Sequence, residues 1–118
     1  MAGQSAAVEL RKQGYDGEIL MVSQEEHLPY DRPPLSKKII TREWDFEKIK
    51  LKDADFYSEN NIQLKLGHQI GQVDPVAKTI TTVSMEVIGY DVLILATGGR
   101  PRRLDVPGRD LDGIHQVL

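Results

Sequence analysis

Apolar positions change their spacing along the chain, and each change predicts an element. Residues 1–17, MAGQSAAVELRKQGYDG, open on small side chains, place Ala7, Leu10 and Arg11 in helical step, and stop at Gly14, a common helix-ending residue. Residues 18–22, EILMV, form an unbroken apolar run between Asp16-Gly17 and the polar SQEEH. That pattern predicts a strand buried on both faces of a parallel sheet, so helix followed by strand makes half of an α/β unit. Further on, LKDADFYSENN supports a short helix with Phe56 and Tyr57 inward. Residues 62–91 alternate apolar and polar positions between Gly and Asp-Pro breaks, as short strands or hairpins do. Asp91 to Gly99, DVLILATGG, reads as a second buried strand running into a Thr-Gly-Gly turn. RPRRLDVPGRDLDG reads as a loop, and GIHQVL as the start of a further strand.

Between the first strand and the second helix lies LPYDRPPLSKK, residues 28–38, with three prolines. Each proline fixes its own φ and disfavours helical geometry in the residue before it, so Leu28, Arg32 and Pro33 are expected to be extended. The segment is predicted to be a stiff ledge ending in Ser36 and Lys37, with Ser36 capping the next helix.

Composition narrows the chemistry. The 118 residues are 40% hydrophobic and 28% charged, which suits one modest folding unit with a core. A net charge of −3, with basic residues scattered, leaves no electrostatic footprint for nucleic acid. With no bilayer-length apolar run and no signal-peptide pattern, the chain is expected to be soluble and cytoplasmic, with no membrane partner. The sequence has no cysteine, which excludes disulfides, thiolate nucleophiles, Cys-ligated metals and dithiol redox chemistry, so any redox chemistry must come from a bound cofactor. His27, His68 and His115 show no metal-ligand spacing.

Three features occur in order: a small-residue helix start, then LPYDRPPLSK after the next strand, then YDVLILATGGRPR some way on. Together they resemble the flavin-binding domain of the ferredoxin, putidaredoxin and rubredoxin reductases. That group, which includes the apoptosis-inducing-factor-like proteins, lies in the FAD-dependent pyridine nucleotide-disulfide oxidoreductase superfamily. The resemblance implies an α/β fold: a partial, Rossmann-like FAD-binding domain over residues 1–118, with a parallel sheet and a small antiparallel section. It also implies hydride transfer from NAD(P)H to FAD and single-electron delivery to an iron–sulfur or rubredoxin-type acceptor. Redox cysteines of disulfide-reducing relatives are absent, so electrons are expected to leave from the flavin itself. The alternative is a truncated flavoprotein module that acts only in protein–protein interaction.

By the same resemblance, positions of this sequence acquire expected roles toward FAD. Ala2 and Gly3 stand at the helix N-terminus that takes the pyrophosphate. The ribose-binding acid falls on Gln24, a departure, because Gln is neutral; Glu25, one residue on, is the better acceptor. Arg32 and Pro33 belong to the ledge alongside FAD, with Lys37 directed at the flavin ring, where a fixed cation stabilises the anionic reduced form. Ile70 offers a backbone group near the adenine. Ala96, Thr97 and Gly98 let the backbone approach the dinucleotide.

The family fingerprint, G-x-G-x-x-G/A, follows a buried strand. Only Gly3 is available here, and helix length places it as the third glycine, so the first strand and first two glycines are expected to be missing from the chain as it stands. A chain so arranged is expected to hold FAD weakly or not at all and to form a homo-oligomer.

Overall fold

The computed structural model describes residues 1–102 and 105–114. The expected final strand of GIHQVL, with His115, lies largely outside them. Among the described residues, no helix is long and apolar enough to cross a membrane.

The first helix, α1 (Ala2–Lys12), closes with Arg11 and Lys12 in its last turn, where cations complement the helix dipole, and Gly14 follows at φ 84°. β1 (Ile19–Val22) comes next, then a long irregular segment with two 3-10 turns, Pro33–Ser36 and Glu47–Ile49. α2 (Ala54–Glu59) is capped by Asp53, whose carboxylate accepts from the Phe56 amide at 2.9 Å. β2 (Ile62–Lys65) pairs parallel with β1, Ile19 opposite Ile62, and β3 (Ile70–Asp74), β4 (Thr79–Thr82) and β5 (Val87–Gly89) form an antiparallel sheet in that order. The fold is thus mixed α/β, as expected. Parallel pairing of Ile62–Lys65 with Ile19–Val22 was not legible, because the alternating pattern there suits a hairpin equally well.

The core lies where α1 packs on β1 and α2 on β2. Ala7, Ile19, Tyr57 and Ile62 are buried together, with Met21, Leu28, Phe56 and Leu64 against them. The Tyr57 ring is 1% exposed, and its hydroxyl has no hydrogen-bond partner among the described residues. Burial raises the phenol pKa above 10.0, outweighing the opposing effect of Gln4.

Two strand expectations need correction. β1 is buried on one face only, since Leu20 is 37% exposed; among the described residues β2 is its single strand neighbour. Asp91–Gly99 is not a strand: Val92, Ile94 and Leu95 are 82%, 56% and 70% exposed. An apolar β-branched run forms a buried strand only when a neighbour takes its backbone N–H and C=O groups, and no described strand pairs with it.

Candidate functional site

α1 begins with backbone donors and no competing acid. No side chain caps its start, and the first turn holds no acidic residue. The first helical bond runs from the Ser5 amide to the Met1 carbonyl at 2.9 Å, so the amides of Ala2, Gly3 and Gln4 precede the intrahelical ladder. A Cβ placed on Gly3 would meet the Ala96 Cβ at 3.4 Å. The first turn of α1 and the ATGG segment therefore touch, although they stand at opposite ends of the sequence. Gly98 adopts φ 72°, which a side chain would strain. Small residues at 2, 3, 96 and 98 keep this junction low enough for another backbone or a phosphate to approach.

At the carboxyl end of β1 the chain is held on two sides. The Ser23 amide donates to the Lys65 carbonyl at 3.0 Å, the His68 amide to the Ser23 carbonyl at 2.7 Å, and the Gly67 amide to the Glu25 carbonyl at 3.0 Å. Gly67 adopts φ 72° to make this contact, so the loops after β1 and β2 are zipped together. The antiparallel sheet joins the same region, with Lys65 and Glu86 forming an ion pair and the Val83 amide donating to the Gln69 carbonyl at 2.8 Å. Glu25 is half-buried and Gln24 exposed. Ile70 opens β3 opposite Thr82, just before a bulge, and is partly buried.

The ledge is stiff but not extended. Arg32 sits at φ −81° and ψ −38°, and Pro33–Ser36 form a 3-10 turn. The expected extended geometry at Arg32 and Pro33 gives way because prolines fit the first positions of a helical turn, where no N–H partner is needed, and the Leu35 amide returns to the Arg32 carbonyl at 2.9 Å. Ser36 ends this turn and caps no helix; Asp53 performs that task for α2. Pro34 is buried, whereas Pro33 and Lys37 are exposed. The ledge is fastened to the segment before α2 by Asp31 N to Ile49 O at 2.8 Å and Leu51 N to Pro29 O at 2.9 Å.

Electrostatics separate the two lysines. Lys38 pairs with Glu43, which also accepts from the Thr41 hydroxyl at 2.9 Å; these contacts, the lysine first, hold the Glu43 carboxyl below its usual range. Lys37 makes no ion pair among the described residues. Arg32 reaches back to the β1 exit, its Nη2 donating to Glu25 Oε1 at 2.7 Å. The Tyr30 phenol lies beside this pair, its pKa raised by burial first and then by Glu25.

The structure thus brings Gly3 to Ala96, and Arg32 to Glu25, while Gln24 is exposed. Sequence reasoning missed Ser23, Gly67 and His68, which brace the Glu25 loop; a glycine directly after an apolar-polar strand pattern was the available signal. A hollow of ≈ 320 Å³ lined by Ser58, Asn61, Ile62 and Gln63 lies at the amino end of β2. Ligands of doubly wound sheets sit beyond the carboxyl ends of the strands, so this hollow is not the site.

Known proteins are similar to this chain in sequence and fold. The chain is 38% identical over 115 residues to a ferredoxin–NAD(P)(+) reductase from Sphingomonas, covering 98% of this chain and 28% of that protein. It is 43% identical over 113 residues to a rubredoxin-NAD(+) reductase from Pseudomonas putida, covering 96% and 29%. Its structure superposes on a chain of the covalent putidaredoxin reductase–putidaredoxin complex with a TM-score of 0.84 at 36% identity, covering 89% of this chain and 25% of that one. The chain therefore spans about 28% of the length of the first of these relatives. A family model described as pyridine nucleotide-disulphide oxidoreductase, a family that uses FAD and NAD(P)H, matches residues 1–117, and the chain belongs to that family.

Proposed function

We propose that residues 1–118 form part of the FAD-binding domain of an NAD(P)H-dependent reductase that passes electrons through flavin to a ferredoxin- or rubredoxin-type acceptor. The observation that carries this reading is the close approach of Gly3 and Ala96, which makes a low, uncapped helix start beside a segment of small residues. A helix N-terminus free of side-chain acid favours a phosphate, and the missing Cβ at Gly3 lets Ala96 pack close beside that helix start. Bound FAD would supply the chemistry, accepting hydride from NAD(P)H and releasing electrons singly.

The chain's own residues bind and orient. The amides after Met1 meet the pyrophosphate, the Glu25 loop the ribose, and the backbone at Ile70 the adenine. The ledge of Arg32, Pro33 and Lys37 lies alongside FAD, with Lys37 toward the flavin ring, and Ala96, Thr97 and Gly98 keep the approach open. The cytoplasm, where NAD(P)H is available, is the compartment proposed for it.

A titration separates recognition of the dinucleotide from recognition of the ring. FAD is expected to bind saturably and riboflavin far more weakly, because the recognised groups are the pyrophosphate and adenosine. Flavin fluorescence reads both. Riboflavin bound as tightly as FAD would overturn the assignment.

A further inference from the structure

We propose that Arg32 is a positioning residue for Glu25: it occupies one carboxylate oxygen so that the other is presented to the ribose hydroxyls of the adenosine half of FAD, in place of the neutral Gln24. This inference rests on the FAD reading above and assigns Arg32 to the adenosine end rather than to the flavin.

The geometry is specific to Glu25. Its amide donates to Ser23 Oγ at 3.1 Å and its carbonyl accepts from the Gly67 amide at 3.0 Å, so the backbone is fixed on both sides. Its side chain accepts from Arg32 Nη2 at 2.7 Å through Oε1, and the Tyr30 phenol lies beside the same carboxylate. Gln24, beside it, is exposed and makes no side-chain hydrogen bond among the described residues. A carboxylate offers two acceptor oxygens and a full charge to a pair of vicinal hydroxyls, whereas a carboxamide offers one acceptor and two donors.

Arg32 is itself immobilised. It precedes the proline turn, its carbonyl accepts from the Leu35 amide at 2.9 Å, and the preceding Asp31 amide is bonded to the Ile49 carbonyl. The stiffness of the ledge therefore has a use at the β1 exit: it holds a guanidinium where it fixes the Glu25 rotamer. The competing account is an ordinary half-exposed ion pair, with side chains 42% and 33% accessible, of the kind that contributes little by itself.

The test uses ADP and 2′,3′-dideoxy-ADP as probes, titrated into the chain and followed by NMR, which reads weak binding. Glu25→Gln is expected to weaken ADP binding by about tenfold, the scale of one charged hydrogen bond. Arg32→Met should weaken it severalfold, Arg32→Lys should restore most of the loss, and Arg32→Met added to Glu25→Gln should cost nothing more. Dideoxy-ADP should bind all variants alike. An Arg32→Met effect that is absent, that persists in the Glu25→Gln background, or that is equal for both probes overturns the positioning role and leaves the FAD reading standing. No saturable ADP binding by the unaltered chain overturns both.

Discussion

The guanidinium of Arg11 donates from Nε to the Asn60 carbonyl at 2.8 Å, joining the last turn of α1 to the end of α2. The same group reaches the Asn61 carbonyl at 2.8 Å through Nη2 and the Tyr15 and Gly17 carbonyls at 2.6 and 2.7 Å through Nη1. One side chain thus satisfies backbone acceptors at the end of both helices and on the approach to β1. This fixes how far α1 can slide, and so where Gly3 meets Ala96.

Replacing Arg11 with Met is expected to destabilise the chain by about 2–3 kcal/mol, because several charged hydrogen bonds are lost at once and the carbonyls are left to partial solvation. Lysine should recover only part, since a single ammonium cannot span four carbonyls in a planar fork. Urea unfolding midpoints check both. A loss for Met below about 0.5 kcal/mol, the range of an ordinary surface change, would show that the clamp is incidental.

The buried Tyr57 hydroxyl yields a prediction of opposite sign. Tyr57→Phe keeps the packed ring and removes an unpartnered polar group, so it should be neutral or stabilising by about 1 kcal/mol at neutral pH. Because the folded-state pKa is raised above 10.0, the folded chain resists an ionisation that the unfolded chain undergoes. That contribution to stability is complete below about pH 10 and is lost as the pH rises through the folded pKa. The phenylalanine variant should therefore lose less stability than the parent between about pH 9 and pH 11. Tyr30, raised in the same direction, leaves a residual slope in both. Equal alkaline slopes would refute the account.

Local pattern made α1, β1 and the Phe56–Tyr57 helix legible, because helical spacing and an unbroken apolar run are short-range signals. The same reasoning failed at Asp91–Gly99, where the sequence is strand-like but strand formation depends on a neighbour rather than on propensity. At Arg32 the rule for residues before proline predicted extension. A 3-10 turn, a carbonyl contact to Leu35 and the bond to Glu25 outweighed it. The Glu25–Arg32 pair itself was invisible, since nothing in the spacing of the two residues says that the ledge folds back on the β1 exit.

Lys37 and Lys38 offer a paired comparison in the FAD-loaded protein. Lys37→Met is expected to lower the flavin reduction potential by about 30 mV, roughly a kcal/mol, since one fixed cation near the reduced ring is removed. Lys38→Met should leave the potential unchanged while releasing Glu43 and loosening the turn that follows. Spectroelectrochemistry reads the first effect and amide exchange over residues 38–44 the second. An unchanged potential in the Lys37 variant would place that ammonium away from the flavin.

The last prediction concerns the apolar run that found no partner. Val92, Ile94 and Leu95 are exposed, yet they are strand-forming residues whose backbone groups lie outside any described ladder. Such a segment is a template for pairing with another chain, and burying its side chains would remove apolar surface from water at about 25 cal/mol per Å². A second copy is the proposed partner, so the chain should self-associate as concentration rises. Ile94→Lys places a charge in the middle of the run and should shift the species toward the single chain without disturbing the Ala7, Ile19, Tyr57 and Ile62 core. Light scattering across a concentration series measures the shift, and circular dichroism confirms that the fold is retained. If the unaltered chain stays monomeric at high concentration, the exposed run is tolerated by water alone and the association argument fails.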